Sequence, residues 1–224
     1  MNVVQDSLAI QAAGVTLDAD VVVPESAQGV VLFAHGSGSS RFSPRNRYVA
    51  GELQRASLAT VLADLLTPEE EQLDARTGRL RFDIALLATR VIALTDWVTQ
   101  HQQTAGLPVG LFGASTGAAA ALVAAAERPD TVAAVVSRGG RPDLAGPYLR
   151  AVRRPTLLIV GGRDDVVIEL NRQALKQLAG ETRLEIVPGA THLFEEPGAL
   201  EQVARLARGW FVRHLRRMPR DDQR

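Results

Sequence analysis

The stretch GLFGASTGAAAALVAAAE, residues 110–127, decides how the rest of the chain is read. An apolar run opened by Leu107, Pro108 and Val109 stops at Gly113, a lone serine follows at Ser115, and an alanine-rich run begins after Thr116. Apolar residues over strand length, then strong helix formers, predict a strand, a sharp turn and a helix. So tight a crossing needs glycine on both sides of the serine, because a side chain at Gly113 or Gly117 would meet neighbouring backbone. Such a turn lifts the Ser115 hydroxyl out at the carboxyl end of a sheet. It also aims the first helical N–H groups, starting with that of Thr116, at the same point. Gly-x-Ser-x-Gly alone is common by chance; between a buried strand and a helix it is specific.

Outward from this turn, strand and helix alternate. On the N-terminal side, SLAIQA and VTLDADVVVP flank Gly14 and predict a hairpin. GVVLFAHGSGSS predicts a buried strand ending in a Gly/Ser loop, and LATVLADLL a second buried strand. Helical periodicity covers Pro44–Arg55 and Ile84–Gln100, while TPEEEQLDARTGRLRFD between them is polar with no clear period. On the C-terminal side come strands in TVAAVVSRGG, RPTLLIVGGRDD and TRLEIVPGATH, a helix starting near Ile168, and a last helix in GALEQVARLARGWFVRHLRR. This order predicts an α/β fold: a mostly parallel sheet with helices on both faces and an antiparallel N-terminal hairpin. No linker or repeat divides the 224 residues, so one domain spanning residues 1–224 is expected. The arginine-rich end, RHLRRMPRDDQR, reads as a solvated, fraying tail.

Composition narrows the function classes. Net charge is zero, so nothing draws the chain broadly to nucleic acid or to anionic membrane. Cysteine is absent, which removes disulfides, thiolate metal sites and a cysteine nucleophile. MNVVQDSLAI lacks the basic and apolar regions of a secretory signal, and no apolar run spans a bilayer, so a cytoplasmic protein is expected. Lys176 is the only lysine beside abundant arginine, which reflects coding bias rather than an anion-binding signature.

A serine hydroxyl is a weak nucleophile at neutral pH and needs a base within reach. Of four histidines, His192 lies in a loop between the last strand and the last helix, where loops of such a sheet meet. His101 and His214 occupy helix positions, and His35 precedes the glycine loop and is expected to brace it. Asp164 and Asp165 follow a buried strand and fall between serine and histidine, giving the order Ser, Asp, His. The two-glycine turn favours Asp164 as the carboxylate that orients the base; the alternative use of either aspartate is to cap the following helix. In the loop HGSGSS, the Ser37 N–H is expected to join the Thr116 N–H as an oxyanion hole. Arg41, Arg138 and Arg141 should lie at the carboxyl rim. There they either clamp an anionic substrate group or pair with rim acids such as Glu69, Glu70, Asp143 or Glu195.

With these parts in this order the chain resembles the α/β-hydrolase superfamily over residues 30–210, and its dienelactone hydrolase-like branch in its short length and lack of a large cap. LADLLTPEEE, LRFDIALLATR, FGASTGAAAALVAAA, VVSRGGRPDLAG and GATHLFEEPGAL resemble a bacterial group of such hydrolases whose members also occur fused to phosphoribosyltransferase domains. Dienelactone hydrolase itself uses a cysteine where this chain has Ser115, so the resemblance implies acyl hydrolysis without implying that substrate.

The expectation is a serine esterase acting on small acyl compounds through Ser115, His192 and Asp164. No metal or organic cofactor, nucleic acid or membrane is implied, and the chain is expected as a monomer or homodimer. Two alternatives stay open at this level. One is an acyltransferase or perhydrolase using the same three residues; the other is a binding module of the same fold with negligible turnover.

Overall fold

The computed structural model describes residues 3–215. Strands β1 (Val3–Ala12) and β2 (Val15–Pro24) form the expected hairpin, in register from Val3 opposite Pro24 to Ala12 opposite Val15. Both turn residues, Ala13 and Gly14, have positive φ, the backbone form whose twist matches that of the paired strands. Six further strands follow: β3 (Gly29–Ala34), β4 (Leu58–Ala63), β5 (Val109–Ala114), β6 (Val132–Arg138), β7 (Thr156–Gly161) and β8 (Thr182–Val187). The sheet order is β1-β2-β4-β3-β5-β6-β7-β8. β1 and β2 run antiparallel; β3 through β8 are mutually parallel. Every residue of β3, β4, β5 and β7 is buried, which is why these segments read as unbroken apolar runs rather than alternating ones.

Helices cover both faces. α1 (Pro44–Arg55) and α6 (Ala199–His214) pack on one, against Phe33, Phe112 and Val136. α3 (Ile84–Gln100) and α4 (Thr116–Glu127) pack on the other, against Val30, Leu32 and Leu111. α5 (Asp165–Leu175) lies against Val160 through Val167 and Ile168. At the foot of the sheet, Phe211 and Leu215 press directly onto Gly110 of β5 and Gly29 of β3, leaving no room there for side chains.

Two expectations need correction. The polar stretch after β4, whose sequence shows no clear period, is helical: Pro68–Thr77 forms helix α2, followed by a short 3₁₀ turn at Leu80–Phe82. Thr67 caps it, accepting from the Glu70 N–H while the Glu70 carboxylate accepts from the Thr67 N–H. Cap chemistry and an acidic first turn make this helix, and only Asp74 is buried along it, so the apolar period that marks other helices is missing. Also, α5 starts at Asp165, three residues before the expected Ile168. The expectation about the tail falls largely on residues 216–224, outside the described residues.

Candidate active site

The turn at Ser115 is built by exclusion. A Cβ on Gly117 would lie 2.2 Å from the Ala34 carbonyl oxygen, and one on Gly113 would lie 2.4 Å from the Ala118 Cα. Only glycine lets β3, β5 and α4 meet this closely. Ser115 takes φ 51° and ψ −120°, a conformation that L-residues rarely adopt and that the surroundings must hold. Its N–H donates to the Arg138 carbonyl (3.2 Å), and its own carbonyl accepts from Arg141 N–H and Ala118 N–H (both 3.1 Å).

Those bonds tie Ser115 to both sides of the Gly139–Gly140 turn that ends β6. The imidazole of His192 flanks the same turn: a Cβ on Gly139 would sit 3.4 Å from its Cε1. His192 Nδ1 lies 2.7 Å from Asp164 Oδ2. With Nδ1 donating, Nε2 is the nitrogen left to accept a proton. Asp164 stands at the start of α5 without capping it, and Asp165 is already the first residue of that helix. The carboxylate that meets the imidazole is therefore that of Asp164. The sequence reading overlooked Glu196, whose carboxylate accepts from the Thr191 N–H at 3.0 and 3.1 Å and fixes the turn carrying His192. Its signal was a carboxylate five residues beyond a Gly-Ala-Thr turn. His101 stacks on Trp97 (4.3 Å) and His214 lies against Trp210 (4.5 Å), each on its own helix end.

The glycine loop after β3 approaches from the other side, with a Cβ on Gly36 falling 2.9 Å from that of Ser115. Its anchor is His35, 6% exposed, whose Nε2 accepts from the Leu65 N–H (3.0 Å) while Nδ1 donates to the Gly36 carbonyl (3.0 Å). Burial lowers the His35 pKa more than the Gly36 carbonyl and Asp64 raise it, so the ring is neutral and braces the loop. The Ser37 N–H makes no hydrogen bond among the described residues. That of Thr116, the first residue of α4, has no acceptor within the helix. The hydroxyls of the same two residues lie 3.0 Å apart.

The three arginines separate. Arg41 is held by Asp64, Asp18 (3.4 Å) and Asp20 (3.9 Å), none of them among the acids expected to pair with it. Arg141 forms a two-point pair with Asp143 at 2.8 and 2.9 Å. Arg138 is 8% exposed, and its Nε and Nη1 have no partner among the described residues. Burial first, and then the charge of Arg45, lowers its pKa to about 10. Its guanidinium carbon lies 5.9 Å from the Phe194 ring centre, two residues beyond His192.

A cleft of about 500 Å³ is lined by the glycine loop, Thr116, Leu66, Leu87, the α2 residues Glu71, Asp74 and Ala75, and Arg81, so it meets the Ser115 turn through Gly36 and Thr116. Among the described residues no helix is long and apolar enough to cross a membrane.

Comparison with known proteins agrees with this architecture. The dienelactone hydrolase family matches residues 17–212. The crystal structure of dienelactone hydrolase from Anabaena variabilis is 60% identical and superposes with a TM-score of 0.94, covering 96% of this chain and 99% of that one. Est1E from Butyrivibrio proteoclasticus shares the fold at 16% identity, with a TM-score of 0.78 over 93% of this chain and 98% of its own. Two Mycobacterium tuberculosis proteins named as phosphoribosyl transferases are 59% identical over 94% of this chain, a match covering 46% of their own length. The chain thus spans about half the length of these curated relatives. By family match and by fold, the chain belongs to the dienelactone hydrolase family of α/β hydrolases.

Proposed function

We propose that the chain is a serine hydrolase of small carboxylic esters. The observation that carries this reading is the 2.7 Å contact between His192 Nδ1 and Asp164 Oδ2, set against the same two-glycine turn that holds Ser115. In this reading Ser115 Oγ attacks the ester carbonyl carbon and His192 Nε2 takes its proton, while Asp164 steadies the imidazolium. The carbonyl oxygen, now negative, accepts from the Ser37 and Thr116 N–H groups. His192 then gives the proton to the departing alkoxide, leaving an acyl-Ser115. A water, deprotonated by His192, releases the acid and restores the serine.

The substrate is small and carries an anionic group. Its size follows from a cleft of about 500 Å³, and α2 at ten residues is too short for a full lid. Its charge is inferred from Arg138, at the carboxyl end of β6, the one of the three arginines that no carboxylate neutralises among the described residues. A buried cation without a partner is costly, and a substrate carboxylate would relieve that cost.

The first test is labelling with a fluorophosphonate, followed by intact mass and peptide mapping. A single adduct on Ser115, weakened in His192→Ala and accompanied by ester hydrolysis lost in Ser115→Ala, is the expected result. Undiminished hydrolysis by Ser115→Ala would overturn the assignment. For the charge preference, Arg138→Gln should lower kcat/KM for a dicarboxylic monoester more than for a neutral ester; an unchanged ratio rejects the anionic substrate.

A further inference from the structure

The α2 wall of the cleft is tied to the Ser115 side by hydroxyl groups. Thr116 Oγ1 and Ser37 Oγ are 3.0 Å apart, and Ser37 Oγ lies 3.4 Å from the backbone carbonyl oxygen of Arg81. A carbonyl can only accept, so the direction is set: Thr116 O–H donates to Ser37, and Ser37 O–H donates to Arg81. Arg81 is in turn held, through its backbone N–H and its guanidinium, by Asp74, which is 3% exposed. Its Oδ1 accepts from the Arg81 N–H (3.0 Å), its Oδ2 from Arg81 Nε (2.6 Å), and its backbone carbonyl from Arg81 Nη2 (3.1 Å). Burial works against ionisation of Asp74, but the Arg81 hydrogen bonds and charge outweigh it and keep the carboxyl below its ordinary range. Arg81 Nη1 also reaches Gly38, lying 3.4 Å from where a Cβ would project.

We propose that Asp74 and Arg81 are positioning residues for the oxyanion hole: they hold Ser37, and through its hydroxyl Thr116, so that the two amide N–H groups converge. This rests on the reading of Ser37 and Thr116 as oxyanion donors given above. Asp74 and Arg81 act by fixing the loop that carries the amide donors. Loss of a whole oxyanion donor costs about 10²–10³ in rate. Loosening one that remains present is expected to cost about tenfold, in kcat and not in KM, because the donors engage the oxygen fully only once it is charged.

The test is steady-state hydrolysis of p-nitrophenyl acetate by wild type, Ser37→Ala, Asp74→Asn and the double variant, with thermal unfolding of each. Ser37→Ala keeps the amide and loses the hydroxyl link, so it probes the chain even if Asp74→Asn disturbs α2. Both single variants should lose about tenfold in kcat with KM unchanged, and the double variant should lose little more than either, since one chain can be cut only once. As a control, Arg128→Gln breaks a pair with Asp96 away from the cleft and should leave kcat unaltered. Unchanged kcat in Ser37→Ala, or losses that multiply in the double variant, would overturn the proposal while leaving the serine hydrolase reading intact. A wild type that neither hydrolyses the ester nor labels at Ser115 would overturn both.

Discussion

The two walls of the cleft are held in different ways. On the Ser115 side, β3, β5 and α4 meet backbone to backbone, and Gly117 has the Ala34 carbonyl oxygen 2.2 Å from where a side chain would begin. On the α2 side no such crowding exists: Gly78, which ends α2, has open space around it, and the wall is secured by Asp74, Arg81 and the Thr67 cap. The first wall is rigid because nothing else fits. The second is only as firm as a few polar contacts, each worth about 1 kcal/mol or somewhat more. A hydrolase built this way keeps Ser115 fixed in position while the opposite wall remains adjustable.

The largest effect that would sharpen this contrast is chemical. Asp164→Asn keeps the shape of the orienting group but favours the wrong imidazole tautomer, and kcat should fall by about 10⁴ with the unfolding midpoint nearly unchanged. Activity within tenfold of wild type would show that Asp164 does not orient His192. Next comes Gly117→Ala, where the new methyl has nowhere to go. Stability should drop by about 3 kcal/mol, seen as a midpoint lowered by about 10 °C. A midpoint within about 2 °C of wild type would break the claim that this wall is fixed by exclusion.

The α2 wall should answer locally. Thr67→Ala removes a cap worth about 1 kcal/mol. Amide exchange should quicken across residues 68–77 while β5 and α4 keep their protection; equal quickening everywhere would mean the two walls are one cooperative unit. The smallest effect is with pH. Because the folded Asp74 carboxyl titrates below its ordinary value, its contribution is complete above the ordinary carboxylate range and is lost as pH falls through the folded value. Protease sensitivity of residues 68–83 should therefore rise only as pH falls below the ordinary carboxylate range, and Asp74→Asn should abolish that dependence. A variant with the same acid profile as wild type would assign the effect to another group.

The same contrast explains what could be read in advance. The strand-turn-helix at Ser115, the buried runs of β3 through β7 and the bounds of α1 and α3 follow from local rules. Glycine where backbones touch, unbroken apolar runs in parallel strands and capped amphipathic helices all leave marks in adjacent residues. Helix α2 was missed because it buries so little that no apolar period forms; its signal was the Thr67–Glu70 capping pair, four residues in all. Pairings between distant positions left no local mark. Nothing near Arg41 points to Asp18 or Asp20, and nothing near Arg138 reveals that it would end without a carboxylate. The choice between Asp164 and Asp165 depended on one residue of register, which the two-glycine turn before them supplied.

The contact of Phe211 and Leu215 with Gly110 and Gly29 bears on how the chain is made. β3 and β5 lie at the centre of the sheet, yet their α1/α6 face is closed by residues that leave the ribosome after every strand has emerged. The β1–β2 hairpin can form within moments of synthesis, since its partners are neighbours in the chain. The central strands can gain α1 early, but this face is closed only when α6, which follows every strand in the chain, docks on it. Completion of the fold is thus tied to a helix made after all the strands it covers.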